Sequence, residues 1–212
     1  LYYTNDETMQ LRLKEVMLSI VADLKYVAID ITSISNSVGT VEMGRTIDEV
    51  TITWKLNKEA ASQAVNGEAV DAAYRSATLS GLGLTASKSF TVTATDEREA
   101  TDTASTSVTF YNGVYYGVME DGATIDRAAI LALTKKLQSG RALTFTADAR
   151  ATQRLCYAAP TRYGTPVINI GGFDYEWEKT TIQFKNASGY EESYDVWVSP
   201  QTGLGSTTVK VS

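Results

Sequence analysis

The sequence predicts a mostly β protein, two β-rich domains behind an N-terminal helix, and three observations carry that prediction. Along residues 88–110, Phe90, Val92 and Ala94 oppose Thr91, Thr93 and Thr95, then Ala104, Thr106, Val108 and Phe110 oppose Thr103, Ser105, Ser107 and Thr109. A period of two with one wet face marks half-buried strands. Threonine, serine, alanine, valine and tyrosine dominate the 212 residues while proline occurs 3 times, which favours strands with hydroxyl-rich outer faces over disorder. Residues 6–26 contain no glycine or proline, and their apolar side chains recur at helical spacing.

The helix is expected over 5–26, with Asn5 or Asp6 as N-cap and Glu7 suited to the first turn. Met9, Leu13, Val16, Ile20, Leu24 and Val27 follow at steps of 4, 3, 4, 4 and 3, a coiled-coil-like seam with one irregular step. Leu11 and Leu18 add a second apolar line. A helix with two apolar stripes must bury both, either on a sheet of its own chain or against further copies. Few apolar faces elsewhere are left unassigned, so the expectation is self-association as a homotrimer through Met9, Leu13, Val16, Ile20 and Leu24.

From 27 to 111 the pattern is that of a sandwich. Val27, Ile29 and Ile31 share one side, 33–39 reads as a loop, and strands are expected over 40–43 and 49–56. Trp54, inward with Val50, Ile52 and Leu56, resembles the core tryptophan of an immunoglobulin-like sandwich, without the cysteine pair of antibody domains. Residues 57–67 read as a turn and 68–79 as a further strand or edge. The acidic link Asp96-Glu97-Arg98-Glu99 is expected at an exposed hairpin tip, because its charges are costly to bury. Tyr111-Asn112-Gly113 and Tyr116-Gly117 mark where the chain leaves the sheet.

A second domain is expected over 112–212. It opens with a tyrosine-rich strand at 113–119, then a helix over 125–138 with Thr124 as N-cap, Ala129, Ile130, Leu133 and Leu137 on one face, and Gly140 as its stop. Strands follow at 142–147, 154–159, 167–170, 173–178, 180–185, 191–198 and 207–211. The turns Gly171-Gly172, 186–189 and 201–205 separate the later ones.

Composition limits the chemistry. The formal charge of −6, with no basic run longer than Lys135-Lys136, argues against nucleic acid. Cys156 is the only cysteine and histidine is absent, so an intrachain disulfide and a Cys/His zinc cluster are excluded. Cys156, between Leu155 and Tyr157, reads as a small buried apolar residue, and a lone cysteine suits a reducing cytoplasm. Neither a signal peptide nor an apolar run of ~18 residues is visible, so membrane insertion is not expected. The opening at Leu1 leads to the expectation of a longer polypeptide upstream.

Three stretches are weighed as sites. Asp174, Glu176 and Glu178, on one strand face at ~7 Å intervals, have the spacing an inverting glycosidase uses; a solvated face is the simpler reading. Ser80-Gly81-Leu82-Gly83-Leu84 lacks the ending of a phosphate loop and is read as a turn. The acids of 96–102 match no calcium-loop pattern. The tyrosines at 111, 115, 116, 157, 163, 175, 190 and 194 either fill the core or the contacts between subunits, or are platforms for sugars. No catalytic, cofactor or metal residue is assigned.

The runs TVTATDEREATDTASTSVTFYNGVYYGV, VEMGRTIDEVTITWKLNK and RYGTPVINIGGFDYEWEKTTIQFKNASGYEESYDVWVS resemble virion structural proteins of tailed bacteriophages. The resemblance spans nearly the whole chain after about Val38 and rests on strand and turn patterns. It implies an immunoglobulin-like sandwich followed by a C-terminal β-rich module in a tail, baseplate or fibre component, assembled in the host cytoplasm. It further implies other virion proteins as partners, and a host-surface glycan as a candidate one. Two competing expectations are a secreted or surface carbohydrate-binding module and a polysaccharide-degrading enzyme.

Overall fold

Alternation decides where strands can form, and the cover on each face decides which of them do. The computed structural model describes residues 6–212; the N-cap candidate Asn5 lies outside them. The chain opens with α1 (Asp6–Leu24), 19 uninterrupted helical residues. It continues through β1 (Ile31–Asn36), β2 (Thr40–Glu42), β3 (Val50–Leu56), β4 (Ser62–Val65), β5 (Glu68–Val70), β6 (Ser76–Leu79), β7 (Lys88–Thr95) and β8 (Thr101–Glu120). Then come α2 (Arg127–Leu131), β9 (Thr134–Gln138), β10 (Leu143–Ala149), β11 (Gln153–Pro160) and a single 3-10 turn, Thr161–Tyr163. The last strands are β12 (Ile168–Ile170), β13 (Phe173–Tyr175), β14 (Glu178–Lys185), β15 (Glu191–Thr202) and β16 (Gly205–Val211). The fold is mostly β, with an N-terminal helix, a second short helix and several antiparallel sheets. Two compact units alternate along the sequence. One comprises residues up to Ser35, Thr53–Ala77 and Phe90–Thr106; the other comprises Asn36–Ile52, Thr78–Ser89 and Ser107–Ser212.

In the first unit the expected alternation holds on β7, where Phe90, Val92 and Ala94 are fully buried. The opposite face carries hydroxyl pairs across to β8: Thr91 with Ser105 at 2.9 Å, Thr93 with Thr103 at 3.3 Å and Thr95 with Thr101 at 3.1 Å. Trp54 is 1 % exposed and its Nε1 donates to Gln63 Oε1 at 2.6 Å. Three expectations are corrected here. Residues 33–36 extend β1 instead of forming a loop, because β1 pairs along β3 in the sheet order β1-β3-β6. The stretch 57–67 contains β4, which forms a hairpin with β5 through Asn66 (φ 53°) and Gly67 (φ 85°); an Asn-Gly pair with both residues at positive φ closes a two-residue hairpin. Val27 is 65 % exposed and does not join the buried Ile29 and Ile31.

In the second unit β8 runs unbroken past the expected exit at Asn112-Gly113. Both residues stay in the ladder, opposite Gln138 and Leu137 of β9, and the Asn112 amide donates to Glu192 Oε2 at 2.7 Å. Glycine is needed at 113 for close approach: a Cβ there would meet the Tyr115 ring at 2.9 Å and the Lys135 side chain at 3.0 Å. The helix expected over 125–138 shrinks to Arg127–Leu131, capped by Asp126, which accepts from Ala129 N at 2.8 Å, and not by Thr124. Residues 134–138 pair instead with β8. A free edge there gives their backbone more than another helical turn would, and tertiary pairing overrides propensity. One side of the β8, β11 and β15 layer buries Leu155, Tyr157, Trp197, Phe145 and Val209. The other side buries Cys156, Ala158, Phe184, Tyr194 and Ile130. A strand covered on both faces cannot alternate, which is why Leu155-Cys156-Tyr157-Ala158-Ala159 is continuously apolar.

Candidate functional site

The most exposed apolar surface lies on α1. Met9, Leu13, Val16, Ile20 and Leu24, the residues expected to carry self-association, are 71, 61, 55, 52 and 81 % exposed. Every side chain described on the helix is exposed, Leu11 and Leu18 included, so the sheets of the chain do not cover either stripe. No helix among the described residues is long and apolar enough to cross a membrane.

Where α1 ends, the chain is tied to the β7–β8 turn by a cluster that the sequence did not disclose. Asp96, expected in solvent, is 2 % exposed. Its Oδ2 accepts from Tyr26 Oη at 2.7 Å and from Ile29 N at 3.2 Å, and lies 2.6 Å from Lys58 Nζ. Its Oδ1 accepts from the backbone N–H groups of Arg98 at 2.9 Å and Ala100 at 3.1 Å. The Tyr26 ring lies 4.5 Å from Lys58 Nζ and 4.5 Å from the Arg98 guanidinium, a geometry in which each cation is drawn to the ring quadrupole. Arg98 also donates to Asp23 Oδ1, in the last turn of α1, at 2.6 Å. Burial pushes the Asp96 pKa up, but the Lys58 ammonium, the Tyr26 hydroxyl and the two turn amides outweigh it and hold the carboxyl well below the usual range. Asp at the first position of a turn that its own side chain caps was the available signal. The distant partners Tyr26 and Lys58 had none.

The second unit has its own buried carboxylate. Glu42, 6 % exposed, accepts from Tyr115 Oη at 3.4 Å and Ser188 Oγ at 3.1 Å and pairs with Lys135 Nζ at 3.0 Å. Asn186 Nδ2 donates to Met43 O at 2.8 Å beside it. Gly44 (φ 96°) lies so close to Tyr190 that an added Cβ would meet that residue's Cβ at 2.8 Å and its backbone N at 2.9 Å. These contacts fasten residues 40–44 to β8, β9 and the 186–190 turn, and every member is used in packing.

The structure separates the acids that the sequence placed on one strand face. β13 ends at Tyr175, Trp177 turns inward to 7 % exposure, and Glu178 begins β14. Asp174 accepts from Asn169 Nδ2 at 3.0 Å. Glu178 pairs with Arg154 at 3.1 Å, and Arg154 pairs also with Asp121 at 2.6 Å. The cleft around Arg154, Asp121, Glu178, Met119 and Val198 holds about 180 Å3, below the size of ordinary ligand pockets. At Gly81 and Gly83 the Asp48 carboxylate accepts from Gly83 N at 3.3 Å, so an acid sits where a phosphate would have to bind. Among the described residues no group of three or more His, Cys, Asp or Glu is arranged to hold a metal ion.

Of the tyrosines, Tyr115, Tyr157 and Tyr194 are core residues. Tyr175 is 40 % exposed on β13 beside Phe173 at 72 %. The two continue apolar rows whose other members are buried or, at Ile170, partly buried: Phe145, Val209 and Ile170 pair across to Phe173, while Leu143, Val211 and Ile168 pair across to Tyr175. Cys156 is fully buried, as its neighbours implied, and burial pushes its thiol pKa up to about 12. A thiol that is neither ionised nor accessible is inert. Iodoacetamide at pH 8 should therefore leave native Cys156 unmodified and label it only in denaturant; rapid labelling of the native chain would contradict this packing. Compared with models of protein families and with curated proteins, the sequence matches none.

Proposed function

We propose that this chain is a non-enzymatic structural component of a tailed-phage particle, in a tail, baseplate or fibre appendage, where it acts as adaptor or spacer. In this reading α1 sets copy number and axis, most simply as a homotrimer. The strands up to β8, with Trp54 in their core, form an immunoglobulin-like sandwich, and the C-terminal strands meet the next virion protein. The mechanism is geometric: several weak contacts held at a fixed spacing add by avidity. The observation that carries the proposal is the apolar face of α1, exposed from Met9 to Leu24.

Light scattering tests it. The full chain should sediment and scatter as a multiple of 23.0 kDa, and Leu13→Asp with Ile20→Asp should return it to the single-chain mass with its β circular dichroism intact. A single-chain mass for the unaltered protein at every concentration sinks the proposal. Point variants are preferable to deleting everything before Val38, which would remove β1 and the buried Ile29 and Ile31. Antibody against the chain should also decorate one locus on virions that encode it.

A second reading, a carbohydrate-binding module, is favoured by Phe173 and Tyr175, two exposed rings on one face of a short edge strand. Glycan retention by the monomeric double variant, lost on Phe173→Ala, would move this reading ahead.

A further inference from the structure

The apolar face of α1 contains a more regular seam than the one through Met9 and Val16. Gln10, Leu13, Met17, Ile20 and Leu24 follow at steps of 3, 4, 3 and 4, the spacing that keeps one stripe facing a partner helix. Leu13, Met17, Ile20 and Leu24 are 61, 59, 52 and 81 % exposed. Met9, Val16 and Val21 flank the seam, also exposed, and widen the stripe to about 140° at 100° per residue. A two-stranded seam covers only its central positions and would leave Val16 and Val21 in water.

We infer that α1 seats at least two further copies of this chain in a parallel, in-register bundle whose core layers are Gln10, Leu13, Met17, Ile20 and Leu24. The inference rests on the self-association proposed above and adds the orientation, the register and a lower bound on copy number. Area supports the occupant: the seven exposed apolar side chains of the stripe amount to roughly 800 Å2 per copy, the share one partner contributes to a standard interface. Orientation follows from the polar layer. In a parallel bundle Gln10 meets Gln10, and the amides can donate to and accept from one another. In an antiparallel one Gln10 lies opposite Leu24 and its amide is buried without a partner. The charge pairing that would favour antiparallel helices, Arg12 to Asp23, is already pre-empted, because Asp23 is bound to Arg98 of its own chain at 2.6 Å.

Cysteine cross-linking of the full chain decides it, with Cys156 left in place because it is buried. Gln10→Cys and Leu24→Cys, each alone, should form disulfides between identical positions on mild oxidation, moving most of the chain from 23.0 kDa to twice that mass in denaturing gels. Leu13→Cys supplies an independent third layer should either variant loosen the helix. In an antiparallel bundle positions 10 and 10 stand ~21 Å apart at 1.5 Å per residue, beyond disulfide reach. Linking only in the Gln10→Cys, Leu24→Cys double variant therefore overturns the parallel register, while the self-association proposal survives. A native mass of two copies overturns the lower bound, and a single-chain mass overturns both this inference and the reading beneath it.

Discussion

Replacing Asp96 with alanine should lower the unfolding midpoint of the first unit by roughly 5–10 °C, an effect far larger than substitutions in an exposed acidic turn produce. The carboxylate collects Tyr26, Lys58, Ile29 N and two turn amides at 2.6–3.2 Å, and its removal leaves a buried ammonium and several N–H and O–H donors without an acceptor. Asn at 96 should recover part of the loss, since its Oδ1 still accepts from the turn amides. The pH dependence has a definite sign. The folded-state pKa is held below the unfolded one of about 4, so the contribution is fully present above that pH and is withdrawn as pH falls further. Thermal scans between pH 7 and pH 2, following the fluorescence of Trp54, the tryptophan of that unit, should show an acid limb that Asp96→Asn flattens. A variant with an unchanged midpoint and an unchanged limb would refute the assignment of Asp96 as the tie between α1 and the turn. Because the same residue fixes Tyr26, the variant should also loosen the end of α1, visible as faster amide exchange over 23–29 while the β8 core stays protected.

Phe184→Ala should destabilise the second unit by about 3–5 kcal/mol. The ring is fully buried, 5.2 Å from Tyr115 and 4.7 Å from Tyr194, in edge-on and tilted geometries that add to area burial. Those two tyrosines carry the polar bonds of the layer, Tyr194 Oη to Gly113 O at 2.8 Å and Tyr115 Oη to Glu42. A hole between them therefore loosens a hydrogen-bonded floor as well as an apolar wall. Phe184→Leu keeps most of the volume and should lose less than about 1.5 kcal/mol. Urea titration followed by Trp177 and Trp197, both in this unit, measures it. A loss below about 1 kcal/mol for alanine would show that the site collapses around the cavity.

How much of this was legible can be judged residue by residue. The two arms around the Asp96 turn, the inward Trp54, the buried Cys156 and the apolar stripes of α1 were all readable, because period and polarity are properties of neighbouring residues and survive any arrangement of the rest. The β11 and β14 strands were likewise found to within two residues of their bounds, whereas β15 runs on to Thr202, into the expected turn. Residues 125–138 were misread because Ile130, Leu133 and Leu137 satisfy helical spacing, and nothing local says that β8 offers an edge at Asn112–Tyr116. The strand expected over 173–178 was misread because continuity of strand pattern was taken across Trp177, which the core draws inward; Asp174, Glu176 and Glu178 are all exposed, as the solvated reading had it.

Charge deceived most at Asp96, and Glu42 is buried on the same physical terms. An isolated carboxylate belongs in water, and sequence can do no better than say so. Burial became favourable only because Lys58 and Tyr26, 38 and 70 residues away, and Lys135, Tyr115 and Ser188 for Glu42, arrive at hydrogen-bonding distance. The sequence by itself determined the class of the protein, its helix and the spacing of its apolar faces, since these follow from covalent geometry and local sterics. The tertiary structure alone decided which faces were covered, which acids were tied down and that the apolar side chains of α1 stay exposed, since each depends on long-range contacts that no neighbouring residue encodes.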